Sequence, residues 1–405
     1  MFEKALRSAN FYMRVIGIPT DIRDGNRTLM ERLRNRWFYC INFLWLNTDV
    51  AGEITWFVKG LLSGSSTLIE NTYLIPCLTL CILGNVKTFF TIKYANHIID
   101  LVAILKDLEI KNNAARKNET EIVKERLKFL TTSNKFLLFV IGTGIIAFGI
   151  GPLMLTASIY FSSGDMKLKL PFLIWYPFDS SDIRYWPFVY VHQVWSACIA
   201  CCAVYGPDCF YFTSCTFIHI HFIHLQNDIT NVIVESSRAR RNGLYRGCHQ
   251  AFLELTNRHK DLIRCVNLLE IIYSKSTLVN VVSSSLLICV TGFNVMAIDF
   301  LPLIAPFTSF LALGLVQTYL LCYYGDTIMC SSTEVSDAVY NSTWYGTNIS
   351  QMRDYLFVMK RAQKPCKLTA YGFSDVNLRT FSRILSTAWS YFALLITIYR
   401  GNGQQ

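Results

Sequence analysis

Three groups of residues carry side chains able to do more than pack. His219, His221 and His224 stand in HIHFIH. Positions 221 and 224 share one helical face, a spacing that could grip a metal through two imidazoles. No carboxylate or thiolate is obviously presented to them, so interhelical hydrogen bonding is the commoner use. Cys198, Cys201 and Cys202 form CIACC, but cysteine in an apolar helix usually behaves as a small hydrophobe. Lys87 interrupts an apolar run, with Asp49, Glu53 and Asp208 as acids in other apolar stretches. An ionisable residue at membrane depth usually faces a partner or water. The competing and preferred reading is that its stem snorkels the ammonium to the interface. No nucleophile–base constellation and no Gly-rich phosphate loop is visible. The sequence therefore reads as a non-enzyme, with no cofactor and no metal expected.

The elements that hold these residues must be membrane helices. Of 405 residues, 52% are apolar, 14% aromatic and only 16% charged, where a soluble chain carries about 25% charged residues. Seven stretches approach the roughly 20 apolar residues needed for one crossing: Trp37–Val58, Leu74–Tyr94, Phe136–Ile159, Phe188–Leu225, Ser276–Ile298, Leu303–Tyr324 and Ile384–Tyr399. The first is the weakest, since Asn47, Asp49 and Glu53 interrupt it. The fourth is too long for one bilayer and must continue into solvent. The last spans only about 24 Å at the helical rise. No linker, internal repeat or secretory signal is apparent, so residues 1–405 read as one domain.

The basic residues orient the spans. With Lys93 at the inner edge of span two counted with the loop that follows, 32 of the 38 Lys and Arg fall on the side that holds the N-terminus and five on the other, and Lys87 lies inside a span. The positive-inside rule puts the N-terminus in the cytoplasm and the C-terminus outside. The expected fold is an all-α membrane protein of seven transmembrane helices. Its orientation is opposite to that of a G-protein-coupled receptor, and neither Asp-Arg-Tyr nor Asn-Pro-x-x-Tyr stands where such a receptor has it. The net charge of +10 is thus a topology signal, and nucleic acid is not an expected partner. All fourteen cysteines fall in spans or cytoplasmic segments, which argues against an extracellular disulfide framework. In the segment before span five, Leu255, Leu262, Val266 and Leu269 recur at helical spacing among Arg258, Lys260 and Arg264. Helices of this kind outside the membrane need partner helices, so an anchor bundle is expected in the cytoplasm.

Two outer features remain. The loop LPFLIWYPFDSSDIRYWPF gathers Trp175, Tyr176 and Trp186 between prolines. These aromatics suit an interfacial belt or a lid over a cavity in the outer half of the bundle. In the last span Thr387, Tyr391, Leu394 and Ile398 share one helical face. Such a stripe packs against a neighbour or lines a narrow pore gated by dewetting.

These residues resemble the insect odorant receptor family. QTYLLCYYGDTIMCSSTEVSDAVYNSTWY, from Gln317, is similar to the stretch joining span six to the cytoplasmic anchor in that family. RAQKPCKLTAYGF followed by FSRILSTAWSYFALL resembles its C-terminal signature, and TNRHKDLIRCVNLLEIIYSKSTLVNVVSSSLLIC its approach to span five. LPFLIWYPFD is similar to the second outer loop of moth and butterfly members. The resemblance covers the whole chain and is most specific after Thr256. It implies the odorant-binding subunit of a non-selective cation channel in the plasma membrane of olfactory neurons. The implied partners are a shared co-receptor in a heterotetramer, a small volatile odorant and membrane lipid. Span seven would line the pore, with Leu394 at the position of the co-receptor's gate valine and Ile398 one turn further out. The ligand site it implies lies in the outer half of spans two to six. Carried onto this chain, that region gives Cys77, Leu78, Cys81, Phe148, Pro152, Trp195, Cys198, Cys202, Phe293, Phe307 and Phe310. The alternatives are a gustatory-type receptor channel for a more polar ligand, and a transporter, which would show inverted repeats.

Overall fold

The computed structural model describes residues 1–18, 36–64, 68–115, 121–163, 168–242, 246–298 and 301–402. The described chain forms ten α-helices: α1 (Phe2–Val15), α2 (Trp37–Ser63), α3 (Leu68–Lys93), α4 (Ala95–Ala115), α5 (Glu121–Ser163), α6 (Trp186–Asn242), α7 (Arg246–Ala297), α8 (Leu301–Tyr340), α9 (Ile349–Ala362) and α10 (Leu378–Asn402). Among the described residues, β structure is limited to one isolated antiparallel bridge between Thr369 and Asp375.

Among the described residues six helices, α3, α5, α6, α7, α8 and α10, are long and apolar enough to cross a membrane. The seventh expected span corresponds to α2. Its hydropathy is lowered by Asn42, Asp49 and Glu53, and all three point into the protein, at 3–4% exposure. The opposite side of α2 presents Trp37, Leu44, Leu61 and Leu62 outward. A helix with its carboxylates turned inward and its apolar side outward suits lipid, although its average composition falls short.

The long helices do two jobs. At 1.5 Å per residue, the 57 residues of α6 and 52 of α7 exceed the hydrocarbon thickness about two-fold or more. The extension expected for span four therefore recurs in α5, α7 and α8. Beyond the membrane these stems pack with α4 and α9. The expected helical stripe, Leu255, Leu262, Val266 and Leu269, is buried there, 5% exposed or less. Arg258, between them, reaches Asp228 of α6 at 3.3 Å and Asn112 of α4 at 3.2 Å. Asn112 in turn hydrogen-bonds His221 at 2.7 Å, so that histidine takes the interhelical role. α6 is the central element, touching α1, α3, α5, α7 and α8.

The signature before span seven folds into a tight knob. Tyr371 and Gly372 both take positive φ, 51° and 76°, a turn that favours glycine. The Glu270 carboxylate of α7 accepts from the backbone N–H and the hydroxyl of Thr369. Lys367 closes the knob on Asp375 at 2.8 Å. The entry to α10 is thereby fixed against α7.

The sequence has N-glycosylation acceptors at Asn26, Asn118, Asn341 and Asn348, all in segments expected to be cytoplasmic. Asn26 and Asn118 lie outside the described residues. Asn341 follows α8, and Asn348 is the N-cap of α9, both in the anchor. The expressed protein should therefore show no mobility change on glycosidase treatment. A shift mapped to any of these four asparagines would overturn the orientation.

Candidate ligand cavity

Five helices and one loop line a partly open cavity in the outer half of the bundle. α3 supplies Cys77, Leu80 and Cys81, and α5 supplies Val140, Ile141, Gly144, Ile145 and Phe148. Ser196, Ala197, Ala200 and Cys201 come from α6, and Ser309, Phe310 and Leu313 from α8. The wall is overwhelmingly apolar because α3, α5, α6 and α8 turn hydrophobic or small faces inward. Small residues at Gly144, Ala197 and Ala200 leave the room that larger ones would fill.

The ceiling is aromatic. Phe148 stacks on Phe172 with ring centroids 5.1 Å apart and meets Phe310 at 5.0 Å. Phe172 comes from the loop before α6. Its backbone N–H donates to Gln193 Oε1 at 3.0 Å, and Gln193 is fully buried. Three residues on, the loop docks on α2. Trp175 N–H donates to the Gly52 carbonyl at 3.1 Å. A Cβ on Gly52 would stand 2.4 Å from Ile174 Cγ2, so only glycine permits this seat.

α2 brings two carboxylates to the wall. Asp49 Oδ1 lies 2.9 Å from His192 Nδ1, and His192 Nε2 is 3.1 Å from the Thr48 hydroxyl. Glu53 is 3% exposed, and its Oε2 has no hydrogen-bond partner. Ser196 Oγ, also on the wall, has none either. Tyr176 closes the cluster from the loop, accepting from Gln193 Nε2 at 3.3 Å. Burial pushes its hydroxyl pKa well above the ordinary tyrosine range. The Gln193 bond opposes that rise, and the nearby Asp49 adds to it.

Of the expected ligand residues, Cys77, Cys81, Phe148 and Phe310 line this cavity. Phe307 lies behind it, fully buried and edge-on to Tyr73 at 4.9 Å. Pro152 is buried inside α5 above Phe148, and Leu78 is half-buried on a neighbouring face of α3. Phe293 is buried where α7 meets Tyr399 of α10. Trp195 is 41% exposed, Cys198 is half-buried, and Cys202 packs toward the Met13 and Ile16 cluster. On α6 the expected face is thus rotated from the wall by about one residue, or 100°. The wall residues not expected from the sequence include Leu80, Gly144, Phe172, Ser196, Ala200 and Leu313. Helical spacing from Cys77 and Phe148 reaches Leu80 and Gly144, whereas nothing local marks Phe172.

The expected lid residues lie to the side. Trp175 and Tyr176 border a second, open groove shared with Trp45, Thr48 and Phe188. Lys59 Nζ stands 3.8 Å over the Trp175 ring, a cation–π contact. Trp186 donates from Nε1 to the Lys169 carbonyl at 3.2 Å and packs at a tilt against Tyr190. On α10, Ile384 and Ala388 are buried, and Phe392 rests against Gly292 of α7. Thr387, Tyr391, Leu394 and Ile398 all lie on the exposed side of the helix.

A family model described as 7tm Odorant receptor matches residues 67–389. Among curated proteins, putative odorant receptor 92a of Drosophila melanogaster is 26% identical over 93% of this chain and 91% of its own length. Odorant receptor 67c of the same insect is 25% identical over 99% and 97%. Among solved structures, the olfactory receptor OR5 of Machilis hrabei in complex with eugenol superposes with a TM-score of 0.77 at 14% identity, covering 98% of both chains. The fold is shared with that receptor.

Proposed function

The chain belongs to the 7tm odorant receptor family, and on that premise we propose that it is the odorant-binding subunit of a cation channel completed by a co-receptor. On this reading the subunit sits in the plasma membrane of an olfactory neuron, and the cavity beneath Phe172 receives a small volatile. The observation that carries the proposal is the aromatic ceiling over an apolar, five-helix cavity. A volatile has few polar atoms, so its affinity comes from apolar burial at about 25 cal/mol per Å². Some 150 Å² of buried ligand surface then contributes roughly 4 kcal/mol before the entropy of association. Affinity is modest, and shape sets selectivity.

Gating follows from which elements the cavity joins. Its wall includes α8, which packs on α7 and α10. A ligand that fits one arrangement of Phe148, Phe172 and Phe310 better than another biases that arrangement. α8 then transmits the bias to α10, the proposed pore helix. Whole-cell current in cells expressing this chain with a co-receptor, against this chain alone, tests the proposal. Odorant-evoked current should require both subunits.

Phe148 is the sharpest single test of the cavity. Phe148→Ala removes the ring that contacts both Phe172 and Phe310. Potency of the best agonist should fall about 10- to 100-fold, as expected for about 1.5–3 kcal/mol of lost apolar contact. Bulkier volatiles should gain relative potency. Unchanged dose–response curves in a variant that reaches the surface would remove Phe148 from the binding site.

A further inference from the structure

We propose that the cavity reads a hydroxyl group: its ligand is a small volatile alcohol held by Glu53 and Ser196. This rests on the odorant reading of the cavity and adds the ligand's polar chemistry. Polar groups on an otherwise apolar wall are costly unless paired. Ser309 Oγ is paired within the protein, donating to the Ala305 carbonyl at 3.1 Å. Asp49 Oδ1 makes no hydrogen bond but has the His192 ring 2.9 Å away as a charge partner. Two further atoms on the wall have neither. Glu53 Oε2 and Ser196 Oγ are both buried, both belong to residues 3% exposed, and neither has a hydrogen-bond partner. They come from different helices, α2 and α6, and face one space.

A hydroxyl offers what both atoms lack. It carries one donor and two acceptor lone pairs. Its O–H donates to the Glu53 carboxyl oxygen, and its own oxygen accepts from the Ser196 hydroxyl. An ether or ester cannot donate, and a hydrocarbon can do neither. A site with buried polar atoms awaiting a partner discriminates strongly against analogues that lack it, because binding them leaves those atoms unpaired and cut off from water. The apolar remainder of the alcohol meets Phe148, Phe310 and Leu80.

The test uses matched probes on the full receptor with its co-receptor: cyclohexanol, methoxycyclohexane and methylcyclohexane, with linear alkanols, methyl ethers and alkanes of four to eight carbons. Cyclohexanol or a linear alkanol should be more potent than its ether and its hydrocarbon by roughly ten-fold or more. Glu53→Met keeps length and removes the oxygens, so it relieves a buried polar group and should not impair folding. In Glu53→Met the alcohol should lose roughly ten-fold in potency while the hydrocarbon holds or gains. Ser196→Ala should show the same pattern with a smaller step. If volatiles open the channel but alcohols have no advantage over matched hydrocarbons, the inference is wrong and the odorant reading stands. If a broad panel of volatiles evokes no co-receptor-dependent current, the odorant reading fails and the inference falls with it. Should either variant fail to reach the surface, the wild-type ratio of alcohol to hydrocarbon potency decides.

Discussion

Lys87→Met should largely abolish surface expression, and Lys87→Met with Asp208→Leu should restore much of it. Lys87 Nζ lies 2.6 and 2.8 Å from the two carboxylate oxygens of Asp208. Gln317 Nε2 donates to the same carboxylate at 2.6 Å. All three residues are 3% exposed or less, so α3, α6 and α8 meet at one dry polar node. The neighbouring Pro207 carbonyl accepts from the Tyr273 hydroxyl at 2.7 Å, which brings α7 to the same level. Removing the ammonium alone strands a buried carboxylate, at a cost of about 3–5 kcal/mol. That is a large part of a typical folding free energy of about 5–15 kcal/mol. Replacing both ions by apolar groups of similar volume is often neutral or stabilising, and this asymmetry is the signature to look for. Surface biotinylation and the melting temperature of detergent-solubilised receptor would measure it. Wild-type surface level and melting temperature in Lys87→Met would show that the pair does not hold the bundle together.

The pairing at that node is not legible in the sequence. From its place in the inner half of its span, Lys87 is expected to snorkel. The structure instead pairs it with Asp208, one of three candidate acids. Hydropathy places a charged residue at a depth along a helix, but not on a face. The same limit explains α2, whose average composition hides the fact that Asp49 and Glu53 both turn inward. It explains α6 as well, where the wall is formed by Ser196, Ala197, Ala200 and Cys201 while Trp195, Cys198 and Cys202 face elsewhere. What was legible came from long-range regularities. Apolar runs marked the spans, basic residues marked a side, and the Leu255–Leu269 stripe announced buried stems outside the membrane. Phe172 was out of reach because its place depends on a loop seated on Gly52 and Gln193, residues distant in sequence.

The other large effect is expected at Leu394. α10 buries Ile384 and Ala388 and rests half-buried Phe392 against its own subunit, leaving the Thr387, Tyr391, Leu394 and Ile398 side uncovered. In the proposed tetramer the four α10 helices meet around one axis, and this uncovered side faces it. A ring of apolar side chains near mid-span would keep water out of a closed constriction. Leu394→Ser removes an apolar side chain worth about 1.5–3 kcal/mol when buried and supplies a hydroxyl that water can wet. Resting current should rise and relative cation permeability should change. With a co-receptor present only part of the ring is altered, so the channel should leak without locking open. Leu395 is half-buried on another face of α10. Leu395→Ser should therefore lower surface expression more than it changes conduction. The contrast between adjacent positions separates a pore role from general damage to the helix. If well-expressed Leu394→Ser channels keep wild-type resting current, permeability ratios and blocker sensitivity, the uncovered face of α10 looks onto lipid or a neighbouring helix, and the pore is built elsewhere.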